Sequence, residues 1–244
     1  MSDTPILYSF WQSSCAWRVR IALAYKGIEY ECREVNLYDN EQWDTKFAEI
    51  NPVAFVPVLL HNGKCITESF AILEYLEEAF PNTPKLLPED LHQRFRCSLS
   101  PVSNLCKMSV RLPTMHLEIE KRKLICPNHF INLGFRSLDK RLKATVGKHA
   151  VGDQLTFADV CVVPQVYNGV VAYAGVNLDE YPTIKRVFES AIKLDAFWNS
   201  HPYHQSGAPE TLEIEDLKSK GFLLEKWADR RNQHTAGHSY KSQE

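Results

Sequence analysis

The segment from Val56 to Thr67 constrains the fold of this chain more than any other. Two strand-forming runs, Val56-Pro57-Val58-Leu59-Leu60 and Cys65-Ile66-Thr67, flank the turn His61-Asn62-Gly63-Lys64. Asn-Gly between two such runs predicts an antiparallel hairpin, because both residues tolerate the positive φ of a tight turn. The flanking segments extend that hairpin into a small sheet. Pro5 to Phe10 reads as a short buried strand, rich in β-branched and aromatic residues. Ser13 and Ser14 then offer N-cap hydroxyls to a helix built on Val19, Ala22, Leu23 and Tyr25, ended by Lys26-Gly27.

Ile28, Tyr30 and Cys32 alternate with charged residues as a half-buried strand, and Trp43, Phe47 and Ile50 recur at helical spacing before Asn51-Pro52. After the hairpin, Glu68-Ser69 opens a helix carrying Ile72, Leu73, Tyr75, Leu76 and Ala79, stopped by Pro81. The order β-α-β-α-β-β-α fits an α/β unit with one parallel pair and one hairpin. From Asp90 onward the class changes to helices. Phe130, Leu133, Leu138 and Leu142 mark one; Thr156-Phe157-Ala158-Asp159 opens a second as a capping box; Tyr181-Pro182-Thr183 precedes a third with Ile184, Val187, Phe188 and Ile192. Pro81 to Pro88 reads as a stiff linker. Leu212 to Trp227 is mildly amphipathic, and the polar end beyond it reads as frayed.

Charge and cysteine content narrow the function. With 28 basic against 30 acidic residues among 244, the formal charge is −2. That balance offers nothing to attract nucleic acid or an anionic membrane. No apolar run has the length of a membrane span, and the N-terminus lacks a secretory pattern. The cytoplasm is the expected location. Seven cysteines, at 15, 32, 65, 97, 106, 126 and 161, form no CxxC pair, and nine histidines show no paired-ligand spacing. No metal is expected. Six cysteines read as packing thiols; Cys15, at a helix start, is placed for chemistry.

Ser13-Ser14-Cys15-Ala16-Trp17-Arg18-Val19-Arg20-Ile21-Ala22-Leu23 resembles the signature of the zeta-class glutathione transferases, the class that includes maleylacetoacetate isomerases. Asn51-Pro52 to Val56-Pro57, Glu68-Ser69-Phe70-Ala71-Ile72, Leu86-Leu87-Pro88, Gly152-Asp153 to Asp159, Val163-Pro164-Gln165 and His201-Pro202-Tyr203-His204-Gln205 match the same family. The match is dense over 5–90, fair over 147–205 and poor between. The resemblance implies the glutathione transferase fold: an α/β thioredoxin-like N-terminal domain over 1–84, an all-α C-terminal domain over 90–207 and a tail over 208–244. It also implies a homodimer.

Glutathione carries carboxylates at both ends and a thiol that must be held as its anion. A helix N-terminus favours an anion. Read from helix statistics alone, Ser13 or Ser14 is an N-cap; the extended motif favours Ser14 as donor to the glutathione sulfur, with the Cys15 amide beside it. Cys15 is the second candidate for the catalytic role, tuning the site. Ser13 and Arg18 flank them, with Arg20 adding positive field if it faces the site. The resemblance further implies a cis Pro57 that turns the Val56 backbone toward the cysteinyl unit, and Glu68 and Ser69 at the γ-glutamyl end. Gln42 would lie near the other end, and Asn104 would line the cleft. Beside these stand plainer readings: a strand-edge proline at Pro57, a helix cap at Glu68-Ser69.

The implied activity is addition of glutathione thiolate to small electrophiles: isomerisation of maleylacetoacetate to fumarylacetoacetate, in tyrosine and phenylalanine catabolism, or haloacid dehalogenation. Three departures bear on the second substrate. Cys97 to Leu105 is shorter than the family segment, Tyr167 to Ala174 lacks the family's arginine, and Gln12 stands where an arginine precedes Ser-Ser-Cys. Two other functions use the same residues differently: a glutathione-binding or interaction module with little turnover, and a thiol transferase based on Cys15.

Overall fold

The computed structural model describes residues 4–97, 119–172 and 176–208. Four strands form a mixed sheet in the order β2-β1-β3-β4: β1 (Ile6–Ser9), β2 (Glu31–Glu34), β3 (Val58–His61) and β4 (Lys64–Thr67). β1 runs parallel to β2, with Ile6 opposite Glu31 and Ser9 opposite Glu34. A parallel pair needs a crossover, and helix α1 (Ser14–Lys26) supplies it. β3 pairs antiparallel with β1, Tyr8 opposite Val58, and with β4, Val58 opposite Thr67. The hairpin turn falls on Asn62 and Gly63, both at positive φ (51° and 72°), as a type I′ turn requires.

Helix α1 departs from a simple amphipathic reading. Ala16, Trp17, Val19, Ile21, Ala22 and Leu23 are all buried, and so are Arg18 and Arg20. The sequence marked one apolar stripe; packing from several helices buries nearly the whole surface, leaving Tyr25 half-exposed. α1 touches α3 (Ser69–Ala79) and two helices from later in the chain, α6 (Phe157–Tyr167) and α8 (Asp195–Asn199). Arg20 is a structural tie, not a site cation. Its guanidinium donates to Ser9 Oγ (2.7 Å), the Phe10 and Trp11 carbonyls (3.2 and 3.0 Å) and the Ser200 carbonyl (3.3 Å). A buried charge is tolerated where its donors are paired in this way.

Two expectations of burial are corrected. Trp43 is 66% exposed, because it sits on a 3₁₀ turn (Glu41–Trp43) that precedes α2 (Thr45–Ile50) and so leaves the Phe47 face. Cys65 is exposed on the outer strand β4, so it is not a packing thiol. Residues 81–88, the stiff linker, are docked on the fold. The buried pair Lys26–Glu77 (2.5 Å) holds it: Lys26 donates to the Pro84 carbonyl, Glu77 accepts the Leu86 N–H, and the Leu86 carbonyl accepts the Phe157 N–H.

The later helices are α4 (Leu91–Cys97), α5 (Ile119–Leu142), α6, α7 (Pro182–Ala191) and α8. On α5, Ile131, Phe135, Leu138 and Leu142 form the buried stripe, whereas Leu133 is 57% exposed. The Phe130 side chain lies outside the described residues, as do Cys106, the Cys126 side chain and residues 209–244. α6 ends in a π turn, Asn168–Ala172, where Gly169 meets Ile131 and Phe135; a Cβ there would come within 3.1–3.3 Å of them. The capping box at Thr156 and Asp159 is formed.

His201 joins α1 to the later helices. It stacks on Tyr203 and meets the edges of Trp17 and Tyr167, with ring centroids 5.1–5.4 Å apart. Its Nδ1 accepts the Tyr203 N–H at 3.3 Å, consistent with a neutral ring. Burial, reinforced by the charges of His204 and Arg20, pushes the His201 imidazole well below its ordinary 6.5. Once unfolded, the ring takes up a proton below about pH 6.5, whereas the folded ring does not. Its contribution is therefore intact above that pH and falls as pH drops, by up to about 1.4 kcal/mol per pH unit. Urea unfolding between neutral pH and mild acid should show His201→Phe with a flatter acid loss than the parent. Equal slopes would exclude His201 as the source.

Candidate active site

Strand register brings the candidate residues together. β1 ends at Ser9 and the chain turns through Phe10–Ser13 into α1. Because Tyr8 faces Val58, the Val56-Pro57 segment lies beyond the same end of β1. Val58 faces Thr67, so Glu68 and Ser69 also leave the sheet there. β2 runs parallel to β1, and its exit leads to Gln42. Four connections far apart in sequence thus meet at the carboxyl end of the parallel pair, where open α/β sheets place their ligands.

The two serines divide the work at the start of α1. Ser13 is the N-cap, its Oγ accepting the Ala16 N–H at 3.2 Å. Ser14 is the first helical residue, 4% exposed, at the positive end of a 13-residue helix. Cys15 follows, half-exposed.

A second helix N-terminus leaves the same end of the sheet. Ser69 opens α3 and is buried, while Glu68 before it is exposed at φ 68°. Glu68 makes no side-chain cap; its carbonyl accepts the Ile72 N–H at 3.0 Å. The expected side-chain cap at this pair is therefore corrected: the residue enters the helix through a sparsely populated backbone conformation, as seen at ligand sites. Arg18 links the two helices. Its Nη1 donates to Ser69 Oγ at 3.3 Å, and its guanidinium lies 5.5 Å from the Phe70 ring centroid. The charge of Arg18 thus stands beside the positive end of α3, where an anion is favoured.

Between the helices, the Val56–Pro57 bond is cis and both residues are buried. Asn51 shapes the approach: its Nδ2 donates to the Phe55 carbonyl (2.8 Å) and its Oδ1 accepts the Val53 N–H (3.3 Å). Gln42 lies on the 3₁₀ turn, with a buried Oε1 that meets no hydrogen-bond partner among the described residues. A buried amide oxygen in that state suits a donor from a ligand. Asn104 lies outside the described residues, and so do Tyr173 and Ala174.

Two residues of this region received no role from the sequence. Phe70 faces Arg18, and Tyr38 donates a hydrogen bond to Gln12 Oε1. The only sequence signal near Tyr38 is a polar cluster, Asn36, Asp39 and Asn40, that foretells a turn. Burial pushes the Tyr38 phenol upward, so it remains a neutral donor around neutral pH. Among the described residues no group of three or more His, Cys, Asp or Glu side chains is placed to hold a metal ion.

The site therefore offers two helix N-termini, each with a buried serine, one guanidinium and one buried acceptor. That set suits a ligand with two separate anionic groups. Residues 4–78 match the profile of the "Glutathione S-transferase, N-terminal domain". Glutathione S-transferase Z1 of Arabidopsis thaliana is 40% identical over 214 residues, 84% of this chain and 95% of its own. Maleylacetoacetate isomerase of Rattus norvegicus is 40% identical over 215 residues, 85% of this chain and 97% of its own. A crystal structure of maleylacetoacetate isomerase from Methylobacterium extorquens AM1, with bound malonate and GSH, superposes with a TM-score of 0.76 at 32% identity, covering 84% of this chain and 99% of that one.

Proposed function

Because the chain belongs to the glutathione S-transferase family, in its zeta class, we propose that it is a glutathione-dependent isomerase converting maleylacetoacetate to fumarylacetoacetate. The observation that carries this reading is the bond from Arg18, on the helix that Ser14 opens, to Ser69 at the N-terminus of α3. Glutathione, when bound, supplies a sulfur nucleophile that adds to the cis double bond and departs after rotation. The protein's own residues do the rest. Ser14 donates its hydroxyl to the sulfur, and the positive end of α1 favours the anion. Ser69, with Arg18 and the α3 N-terminus, holds the γ-glutamyl carboxylate. The Val56 backbone pairs with the cysteinyl unit as an added strand, Gln42 serves the other end, and Glu68 and Ser13 flank the site. Holding these groups in place converts a bimolecular encounter into an oriented one.

On this reading residues 1–84 form the glutathione-binding domain and 90–207 the second-substrate domain, with 208–244 as a tail. The described part of the turn after Tyr167 carries no cation, so small monoanionic or haloacid electrophiles are also within reach. The decisive assay is turnover of maleylacetoacetate, or a cis analogue, with and without glutathione. Conversion without glutathione, or none with it, sinks the proposal.

Among the described residues no helix is long and apolar enough to cross a membrane, and a cytoplasmic location fits the pathway. We further propose a homodimer. It is supported by Leu91 and Phe95, one helical turn apart on α4 and 77% and 80% exposed. The mass in solution is expected to be twice the chain's 28.1 kDa; a monomer at micromolar concentration would refute pairing.

A further inference from the structure

Tyr38 grips the turn that presents Ser14. Its phenol donates to Gln12 Oε1, and its ring stands edge-on to Phe10, centroids 5.2 Å apart at 86°. Phe10 and Gln12 both belong to the turn closed by the Ser13 N–H on the Phe10 carbonyl (3.0 Å), which leads directly into Ser14. From the buried side Arg20 holds the same turn by the Phe10 and Trp11 carbonyls. Tyr38, at 64% exposed, holds it from the solvent side.

The loop that carries Tyr38 is stiff in its own right. The Asn36 N–H donates to Glu41 Oε2 (2.6 Å) and its side-chain amide to Asp39 Oδ2 (2.7 Å). The Tyr38 N–H donates to Asn36 Oδ1 (3.0 Å), and the Glu41 N–H to the Asn36 carbonyl (3.1 Å). Gln42 follows at once. A displacement of Tyr38 therefore moves Gln42 with it.

We propose that Tyr38 is a positioning residue: through Gln12 its hydroxyl ties the turn presenting Ser14 to the loop presenting Gln42, keeping the sulfur end and the far end of the tripeptide in register. The proposal rests on the glutathione reading above. The test uses the full-length protein with Tyr38→Phe, which keeps the ring on Phe10 and removes only the hydroxyl, together with Gln12→Leu and the double variant. Tyr38→Phe should lower kcat about fivefold, near the worth of one hydrogen bond. It should also raise KM for glutathione and move the acid limb of the pH–rate profile upward, with the melting temperature unchanged. Gln12→Leu should do the same, and the double variant should lose no more than either single one. An unaltered kcat, KM and pH profile in Tyr38→Phe overturns the proposal, as do losses that add in the double variant. A parent protein that neither retains nor uses glutathione overturns both readings; an active parent matched by Tyr38→Phe overturns this one alone.

Discussion

Ser14→Ala is expected to lower glutathione-dependent kcat/KM by about 10²–10³-fold, the range for losing one donor to a developing anion in a preorganised site. Ser13 Oγ accepts the Ala16 N–H as the helix cap, whereas Ser14 is the buried first residue of α1, at the positive end of that helix. The same variant should raise the pKa of the bound thiol, seen as lost thiolate absorbance at neutral pH, while the fold stays intact. Cys15→Ala should keep most of the turnover, since the proposed function gives the sulfur to Ser14 and leaves the half-exposed thiol to tune the site. The opposite pattern, with Cys15→Ala inactive and Ser14→Ala active, would replace the isomerase reading with thiol exchange at Cys15.

The second large effect concerns stability. Asp159→Ala should cost about 3–5 kcal/mol, the usual penalty for breaking a buried charged network from one side. The carboxylate is fully buried and accepts from the Thr156 N–H (2.9 Å), Thr156 Oγ1 (2.9 Å) and the Ala150 N–H (2.8 Å), with His149 Nδ1 3.5 Å away. Alanine leaves those donors buried without an acceptor. For a chain of this size the melting temperature should fall by roughly 10 °C. Asp159→Asn, which keeps an acceptor, should lose less. Because the partners of Asp159 are Thr156, Ala150 and His149, none of them a candidate site residue, kcat/KM below the transition should survive. A melting temperature within about 2 °C of the parent would show that the cap bears little of the fold.

Much of the N-terminal half is legible because its signals are local. The Asn62-Gly63 turn, the Ser13 cap and the Gly27 stop each act within a few residues, and each stands where the pattern put it. The Thr156–Asp159 box is local for the same reason. Exposure proved harder to read. Trp43 and Leu133 have the spacing of core residues, yet a 3₁₀ turn rotates one outward and the packing of α5 leaves the other in solvent. Arg20 shows the converse: a charge at helix spacing reads as surface or site, but four carbonyl and hydroxyl acceptors from β1, its turn and Ser200 draw it inside.

The Ser-Ser-Cys, Val-Pro and Glu-Ser motifs were visible by residue type, and so was the order of strands and helices. Both follow from short-range conformational preference and from the chemistry each side chain carries. Their convergence belongs to the tertiary structure. Ser14, Val56 and Ser69 share one sheet end only because β1 pairs parallel on one side and antiparallel on the other. The Arg18–Ser69 bond and the Tyr38–Gln12 bond likewise join residues 51 and 26 positions apart. Such contacts depend on how elements pack, which no local preference encodes.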